Sequence, residues 1–85
     1  MEIEFLGSAP DDIEYWKNSG NKAIQKRITK LLESISKTPW SGIGKPEPLK
    51  HDLIGYWSRR INEEHRIVYS VCANRIKVIS MRFHY

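Results

Sequence analysis

The segment "GYWSRRINEEHRIVYSVCANRIKVISMRFHY", residues 55–85, carries the strongest fold signal in the chain. It contains the runs GYWSRRI, RIVYSVC and IKVISMRFHY, which are rich in β-branched and aromatic residues, with the turn sequences NEEH and ANR between them. Consecutive strands that are joined by short turns pair antiparallel. The sequence therefore predicts a three-stranded antiparallel meander at the C-terminal end.

A strand and two helices are predicted before this meander. "MEIEFL" alternates apolar and acidic residues, which indicates a short strand at the margin of the sheet. One brief helix is expected to begin near Pro10, with Ser8 or Asp11 as its cap, and to stop at residues 18–20. A longer helix is expected to open at Asn21, because apolar residues recur there at helical spacing. These residues are Ile24, Ile28, Leu31, Leu32 and Ile35.

These elements predict an α+β fold, namely a small antiparallel sheet with two N-terminal helices packed on one face and the other face open. A chain of 85 residues is expected to form a single domain over residues 1–85. No run approaches the roughly 20 apolar residues that a membrane span requires. The N-terminus also lacks the plan of a signal peptide, so a cytoplasmic protein is expected.

The composition favours a polyanionic partner and excludes some kinds of site. Fourteen Lys and Arg residues against ten Asp and Glu give a net charge of +4, which suits nucleic acid, although solubility alone also explains it. Cys72 is the only cysteine, so an internal disulfide and a Cys-based zinc site are excluded. The histidines at 51, 65 and 84 are scattered, and neither a metal nor another cofactor is expected.

The strand alternation predicts which side chains share the open face. In the last strand Ile79, Met81 and Phe83 are expected to point toward the helices. In the first strand of the meander the alternation makes the Arg59 side chain point inward, and we therefore expect Arg59 at a sheet edge. The side chains expected on the open face are Tyr56, Ser58, Arg60, Arg66, Arg82 and His84. Arginines beside aromatic and imidazole rings suit single-stranded nucleic acid, whereas a merely solvated face is expected to mix charges of both signs.

Glu47 lies in the loop "GKPEPLKHD", residues 44–52, between Pro46 and Pro48. The prolines and glycines between residues 38 and 52 predict a constrained loop without regular structure, and we expect Trp40 to hold it by packing on the core. Cleaving RNA without a metal requires a base for the 2′-hydroxyl, an acid for the leaving 5′-oxygen and cations for the transition state.

The chain offers a candidate for each of these roles. Glu47 would be the base, His84 the acid and Arg66 the clamp on the phosphate, while Lys50 would add positive charge. Each candidate also has an ordinary alternative. A lone loop glutamate is usually solvated, and a C-terminal histidine usually has no special role.

The segment "GKPEPLKHDLIGYWSRRINEEHRIVYSV", residues 44–71, together with the terminal "RFHY", resembles the YoeB/Txe-type toxins of the RelE superfamily. The resemblance implies a microbial-ribonuclease-like α+β fold and an endoribonuclease toxin (mRNA interferase) that cleaves mRNA in the ribosomal A site without a metal. It also implies that Glu47 is the general base, His84 the general acid and Arg66 the phosphate-stabilising arginine.

The predicted substrate-binding residues are Lys50, His51, Arg60, Arg82 and Tyr85. Tyr85 falls on the inner parity, so it reaches the site only if the chain end twists away from the strand. The resemblance further implies a cognate antitoxin with an acidic flexible tail, beside mRNA and the ribosome as partners. Whether two copies form a homodimer is left open.

Two other functions are compatible with the sequence. One is a module that docks on RNA or the ribosome without cleaving, and the other is a toxin–antitoxin component that acts mainly at operator DNA. The loop glutamate favours cleavage, since a mere binder gains nothing from a carboxylate near phosphate.

Overall fold

The computed structural model describes residues 1–83, so the predictions for His84 and Tyr85 lie outside the described residues. The elements in chain order are β1 (Glu2–Phe5), α1 (Ala9–Asn18), α2 (Lys22–Lys37), β2 (Glu47–Pro48), a 3-10 helix (His51–Leu53), β3 (Trp57–Arg60), β4 (Arg66–Cys72) and β5 (Arg75–Ser80). The sheet has the order β1-β5-β4-β3-β2. The predicted α+β fold is confirmed.

The predicted meander forms the centre of this sheet. β3 pairs antiparallel with β4, and β4 pairs antiparallel with β5. β1 lies at an edge, as expected, and it adds a parallel pairing with β5, so the whole sheet is mixed. The interpretation that residues 38–52 lack regular structure is wrong at β2, where Glu47 and Pro48 pair antiparallel with Ser58 and Trp57.

Both helices begin at the predicted residues and pack on one face of the sheet. The Asn21 side chain accepts a hydrogen bond from the Ile24 N–H at 3.1 Å and so caps α2. Ser8 is the N-cap residue of α1, and Pro10 lies in its first turn, where its missing N–H costs nothing. The buried residues of the apolar cluster are Ala9, Trp16, Ile28, Leu31, Ile35, Ile61, Ile67, Tyr69, Ile76, Val78 and Met81.

A β-bulge changes the alternation in β5. Val68 pairs with Ser80 while Tyr69 pairs with Val78, which leaves Ile79 as the extra residue. Ile79 is therefore only half-buried, and the prediction that it points into the core is wrong. Phe83, also expected inside, is 55% exposed, because the strand ends at Ser80 and the chain changes direction after it.

Arg59 lies fully buried in the interior, with 0% of its surface exposed. Its guanidinium donates hydrogen bonds to Tyr69 Oη (3.1 Å), Ser34 Oγ (2.8 Å), Ile43 O (3.0 Å), Thr38 O (2.6 Å) and Ser41 O (2.9 Å). The prediction that Arg59 points inward is confirmed. The predicted position at a sheet edge is wrong, because β2 pairs with β3 and takes the edge of the sheet.

Apart from Tyr69 of β4, the partners of Arg59 belong to the C-terminal end of α2 and to the loop that follows it. Carbonyl groups at a helix C-terminus lack intrahelical donors and carry partial negative charge, so they suit a buried cation. The Tyr69 hydroxyl donates in turn to the carbonyl of Pro39. Trp40 is 57% exposed, so Arg59 and Tyr69, rather than the expected Trp40, hold the loop.

Replacing Arg59 with methionine is expected to destabilise the fold strongly, because it leaves buried carbonyl and hydroxyl groups without a donor. We expect the free energy of unfolding in urea to fall by about 3 kcal/mol. Arg75→Met is the matched control, since that side chain is 54% exposed and forms a single 3.6 Å ion pair with Glu2. The control should change the unfolding free energy by less than about 1 kcal/mol. Equal losses in the two variants would contradict the structural role of Arg59.

Burial raises the pKa of the Tyr69 phenol, while its hydrogen bond with Arg59 and the charge of Arg59 lower it in part. The folded protein therefore holds the phenolic proton more tightly than the unfolded chain, whose tyrosines titrate near pH 10 or so. The stability from this group is complete below that pH and is lost as the pH rises through the raised pKa. Urea unfolding at about pH 8 and about pH 11 should show this alkaline loss in the wild type and less of it in Tyr69→Phe. An identical loss in both proteins would contradict it.

Candidate functional site

Glu47 stands at one end of a row of residues that crosses the sheet. It pairs with Ser58 of β3, Ser58 pairs with Val68 of β4, and Val68 pairs with Ser80 of β5. Residues directly opposite each other on antiparallel strands have their side chains on the same face. Val68 is buried but lies outside the cluster under the helices, so this row marks the face turned away from the helices, here called the outer face.

Arg60 and Arg66 lie on the same outer face. They pair directly with each other, two residues along from the pair of Ser58 and Val68. β2 and β4 are two strand spacings apart, about 10 Å, and Arg66 lies two residues, about 7 Å, along β4 from the row that contains Glu47. Both side chains are long and can extend toward a ligand bound between them. Two like charges directly opposite each other destabilise a sheet, so this pair is suited to an anion placed between them.

The Arg66 side chain is oriented by the turn that precedes β4. Its Nη1 donates to the carbonyl oxygens of Asn62 (3.0 Å), Glu63 (3.3 Å) and His65 (3.3 Å). Within residues 1–83 these hydrogen bonds engage Nη1 alone. The remaining Nε and Nη2 donors can grip two oxygens of a phosphate, as the planar guanidinium allows.

The backbone around Glu47 is fixed on both sides of β2. The N–H of Arg60 donates to the carbonyl of Gly44 at 2.7 Å, and the N–H of Leu49 donates to the carbonyl of Tyr56 at 2.9 Å. Gly44 has φ +83°, and a Cβ there would lie 2.6 Å from Cδ2 of Leu31. The exposed Glu47 carboxylate therefore extends from a backbone path that tolerates little change.

Lys50 and His51 follow on the connection between β2 and β3. Both are exposed, and they lie where the 3-10 helix His51–Leu53 begins. One cationic and one ionisable side chain thus follow Glu47 closely in the sequence and are exposed. Their role in binding substrate stays a prediction.

Phe83, the last residue that the structure describes, lies beside Arg66. The N–H of Arg66 donates to the carbonyl of Phe83 at 2.8 Å, and the next residue in the chain is His84. His84 and Tyr85 are outside the described residues, so the convergence of Glu47 with His84 stays a prediction. What the structure establishes is that Phe83, bonded to His84, adjoins the predicted phosphate clamp.

Arg82 is not where the alternation places it. Its guanidinium carbon lies 3.5 Å from the ring centroid of Tyr15 in α1 and 4.7 Å from that of Phe83. The expectation that this guanidinium joins Arg60 and Arg66 is wrong, because β5 ends at Ser80 and the chain then turns toward α1.

Three residues that hold residues 81–83 were missed by the sequence reasoning. Asp12 and Trp16 of α1 bond the backbone of Met81, and His65 bonds the backbone of Phe83. The spacing of four between Asp12 and Trp16 puts both on one helix face, which was the available signal. No pattern in the sequence around His65 indicated that it holds Phe83.

In the part of the chain that the structure describes, no group of three or more His, Cys, Asp or Glu side chains could hold a metal ion. Over the same residues, no helix has the length and apolar character required to cross a bilayer.

Comparison with known proteins shows the family and the fold of the chain. A family profile described as "YoeB-like toxin of bacterial type II toxin-antitoxin system" matches residues 5–85. The curated Toxin YoeB of Synechocystis is 53% identical over 85 residues, which cover 100% of this chain and 98% of that protein. A solved YoeB/ParE toxin from Agrobacterium tumefaciens is 45% identical, with a TM-score of 0.93 and complete (100%) coverage of both chains.

Two solved structures from Staphylococcus aureus are also similar. A YoeB–YefM complex is 48% identical and a YoeB dimer is 46% identical, each with a TM-score of 0.88 and coverage of 100% of this chain and 98% of theirs. The fold and the match over residues 5–85 define a toxin of a type II toxin–antitoxin system. The chain belongs to the YoeB-like family of these toxins, and the predicted family and RelE-like fold are confirmed.

Gly44→Ala is expected to destabilise the protein more than Gly20→Ala. Both glycines have positive φ, +83° and +71°, so each alanine pays the left-handed penalty of about 1–2 kcal/mol. Only at Gly44 does the new Cβ also meet Leu31, whereas nothing lies within 4 Å at Gly20. Urea unfolding of both variants measures the difference. If Gly20→Ala proved as destabilising as Gly44→Ala, the close packing of this loop would be refuted.

Proposed function

We propose that the chain is a ribosome-dependent endoribonuclease toxin that cleaves mRNA in the ribosomal A site by metal-independent general acid–base catalysis. The observation that carries the proposal is the placement of Glu47 on the outer face that also bears the Arg60–Arg66 pair. A carboxylate on a constrained backbone and a cationic pair supply two of the functions that RNA cleavage through the 2′-hydroxyl requires, a base and charge stabilisation.

In the proposed reaction the Glu47 carboxylate takes the proton of the 2′-hydroxyl, and the 2′-oxygen attacks the adjacent phosphorus. The bond from phosphorus to the 5′-oxygen breaks, which leaves a 2′,3′-cyclic phosphate on the upstream fragment. His84 gives its proton to the departing 5′-oxygen. Charge accumulates on the phosphoryl oxygens in the transition state, and a bidentate contact from Arg66 would stabilise it there.

The other predicted residues act on binding. Arg60 would neutralise a neighbouring phosphate, and Lys50 and His51 would contact the strand on the Glu47 side. Tyr85 would contribute at the C-terminal end, whereas Arg82, stacked on Tyr15 of α1, would not contact the RNA. A carboxylate on the same face as the arginine pair favours cleavage over mere docking, because it would weaken the binding of phosphate without helping to retain RNA.

A cognate antitoxin is the second proposed partner. The solved Staphylococcus aureus relative is in complex with YefM, which supports an antitoxin for this chain as well. An acidic, flexible segment of that partner would lie across the outer face and cover Arg60 and Arg66, because opposite charges guide such complexes. The solved dimer of a relative supports pairing of two copies as a homodimer. The site of action would be the cytoplasm, where translating ribosomes are found, and residues 1–85 would act as a single domain.

Glu47→Gln and His84→Gln are expected to reduce the rate of cleavage of ribosome-bound mRNA by about 10²–10⁴-fold each, because each removes one proton-transfer group. Arg66→Lys retains the charge and loses the planar fork, so a loss of roughly tenfold or more is expected. Glu33→Gln on the exposed side of α2 is the matched control and should cleave normally. Primer extension on mRNA in a purified translation system gives the rates.

Normal cleavage by both Glu47→Gln and His84→Gln would remove the assigned roles. If the wild-type chain bound ribosomes and left the mRNA intact, the docking function would replace cleavage.

A further inference from the structure

Met81, the first residue after β5, is held by side chains of α1. The N–H of Met81 donates to Oδ2 of Asp12 at 2.8 Å, and Nε1 of Trp16 donates to the carbonyl of Met81 at 2.8 Å. Asp12 is only 6% exposed and also accepts a hydrogen bond from the Ser8 hydroxyl at 3.0 Å. The path of the chain toward its C-terminus therefore depends on α1, on the opposite side of the sheet from Glu47.

His65 continues this support at the next point along the chain. Its Nδ1 accepts a hydrogen bond from the N–H of Phe83 at 2.8 Å, and the residue is 8% exposed. Its ring is packed edge-on against Trp16, with 4.9 Å between ring centroids, and it contacts the Phe83 ring at 5.5 Å. Only an unprotonated Nδ1 can accept this bond, so the ring proton of the neutral imidazole must be on Nε2.

Phe83 is bonded through both of its backbone polar groups to consecutive residues. His65 accepts from its N–H, and the N–H of Arg66 donates to its carbonyl at 2.8 Å. Phe83 has φ +59°, a conformation that bulky residues seldom adopt and that persists when the surroundings enforce it. The hydrogen bonds with His65 and Arg66 thus hold Phe83 in this conformation.

We propose that His65 is a positioning residue for the proposed cleavage, acting through Phe83 to place the chain end beside Arg66. The inference rests on the proposed function, because the residue that His65 would position is His84, the proposed general acid, which follows Phe83 directly in the chain. A displacement of about 1 Å at a reacting group can reduce a rate by about 10²-fold, so one backbone hydrogen bond suffices for the effect.

Two variants separate the hydrogen bond from the packing of the ring. His65→Asn retains an acceptor near the position of Nδ1 but lacks the ring, and His65→Phe retains a ring but has no acceptor. We expect kcat for cleavage of ribosome-bound mRNA to fall by about 10²-fold in His65→Phe, with KM changed by less than about threefold. His65→Asn should retain most of the wild-type kcat. A role in packing alone predicts the reverse order.

A third variant leaves His65 intact and so avoids any failure of His65→Phe to fold. Replacing Phe83 with phenyllactic acid turns the peptide bond between Arg82 and residue 83 into an ester, which replaces the N–H with oxygen and leaves the side chain unchanged. The same loss of kcat is expected there. Wild-type kcat in the ester variant, or equal activity of His65→Asn and His65→Phe, would overturn the proposal.

Hydrogen exchange of the Phe83 amide distinguishes failure of this inference from failure of the proposed function. The amide should be protected in the wild type and should exchange at least about tenfold faster in His65→Phe than in His65→Asn. If the wild type cleaves no mRNA while this pattern holds, the proposed function fails and the contact between His65 and Phe83 stands. If cleavage is normal and the amide exchanges equally fast in all the proteins, the positioning by His65 is refuted.

Discussion

The structure depends on one buried cation. Arg59 lies with its guanidinium among the carbonyls at the end of α2 and in the following loop, and its hydrogen bonds go to neutral groups. A buried charge is tolerated when such bonds satisfy it, and the groups that satisfy it are then held in place. Arg59 thereby determines the course of the chain between α2 and β2.

The same residue also sets the orientation of β3. Because successive side chains of a strand point to opposite faces, burying Arg59 under α2 turns Ser58 and Arg60 outward. Ser58 is the partner of Glu47, and Arg60 is the partner of Arg66. One inward arginine thus links the segment that carries the carboxylate to the two strands that carry the cations. Asp12, Trp16 and His65 hold residues 81–83.

Much of the fold follows from local pattern, and the exceptions have physical causes. Both helices, the meander and the outward positions of Arg60 and Arg66 were predictable, because each depends only on spacing along the chain. The bulge at Ile79 was not, since an extra residue leaves the apolar pattern almost unchanged while it shifts the register. The two residues of β2 were also missed, because prolines usually weaken a strand and are tolerated here at the sheet edge.

The features of the candidate site were likewise predictable only in part. Glu47, Arg66 and His84 are predictions from residue chemistry and from resemblance to a family, and neither source could show that Arg59 is buried. Its burial depends on carbonyls supplied by residues 38–43, and a sequence does not reveal which distant backbone groups will meet a guanidinium. Arg82 was misplaced for a related reason, because its stack on Tyr15 joins positions far apart in the chain.

The central claim is that Glu47 serves to remove one proton, that of the 2′-hydroxyl next to the bond cleaved. An mRNA with a single 2′-deoxynucleotide at the mapped cleavage position tests this most directly, when it is bound to ribosomes and treated with the wild-type protein. The account predicts that this linkage stays intact while the unmodified transcript is cut there. Cleavage of both transcripts at the same rate would show that the 2′-hydroxyl is not the nucleophile and would contradict the role given to Glu47.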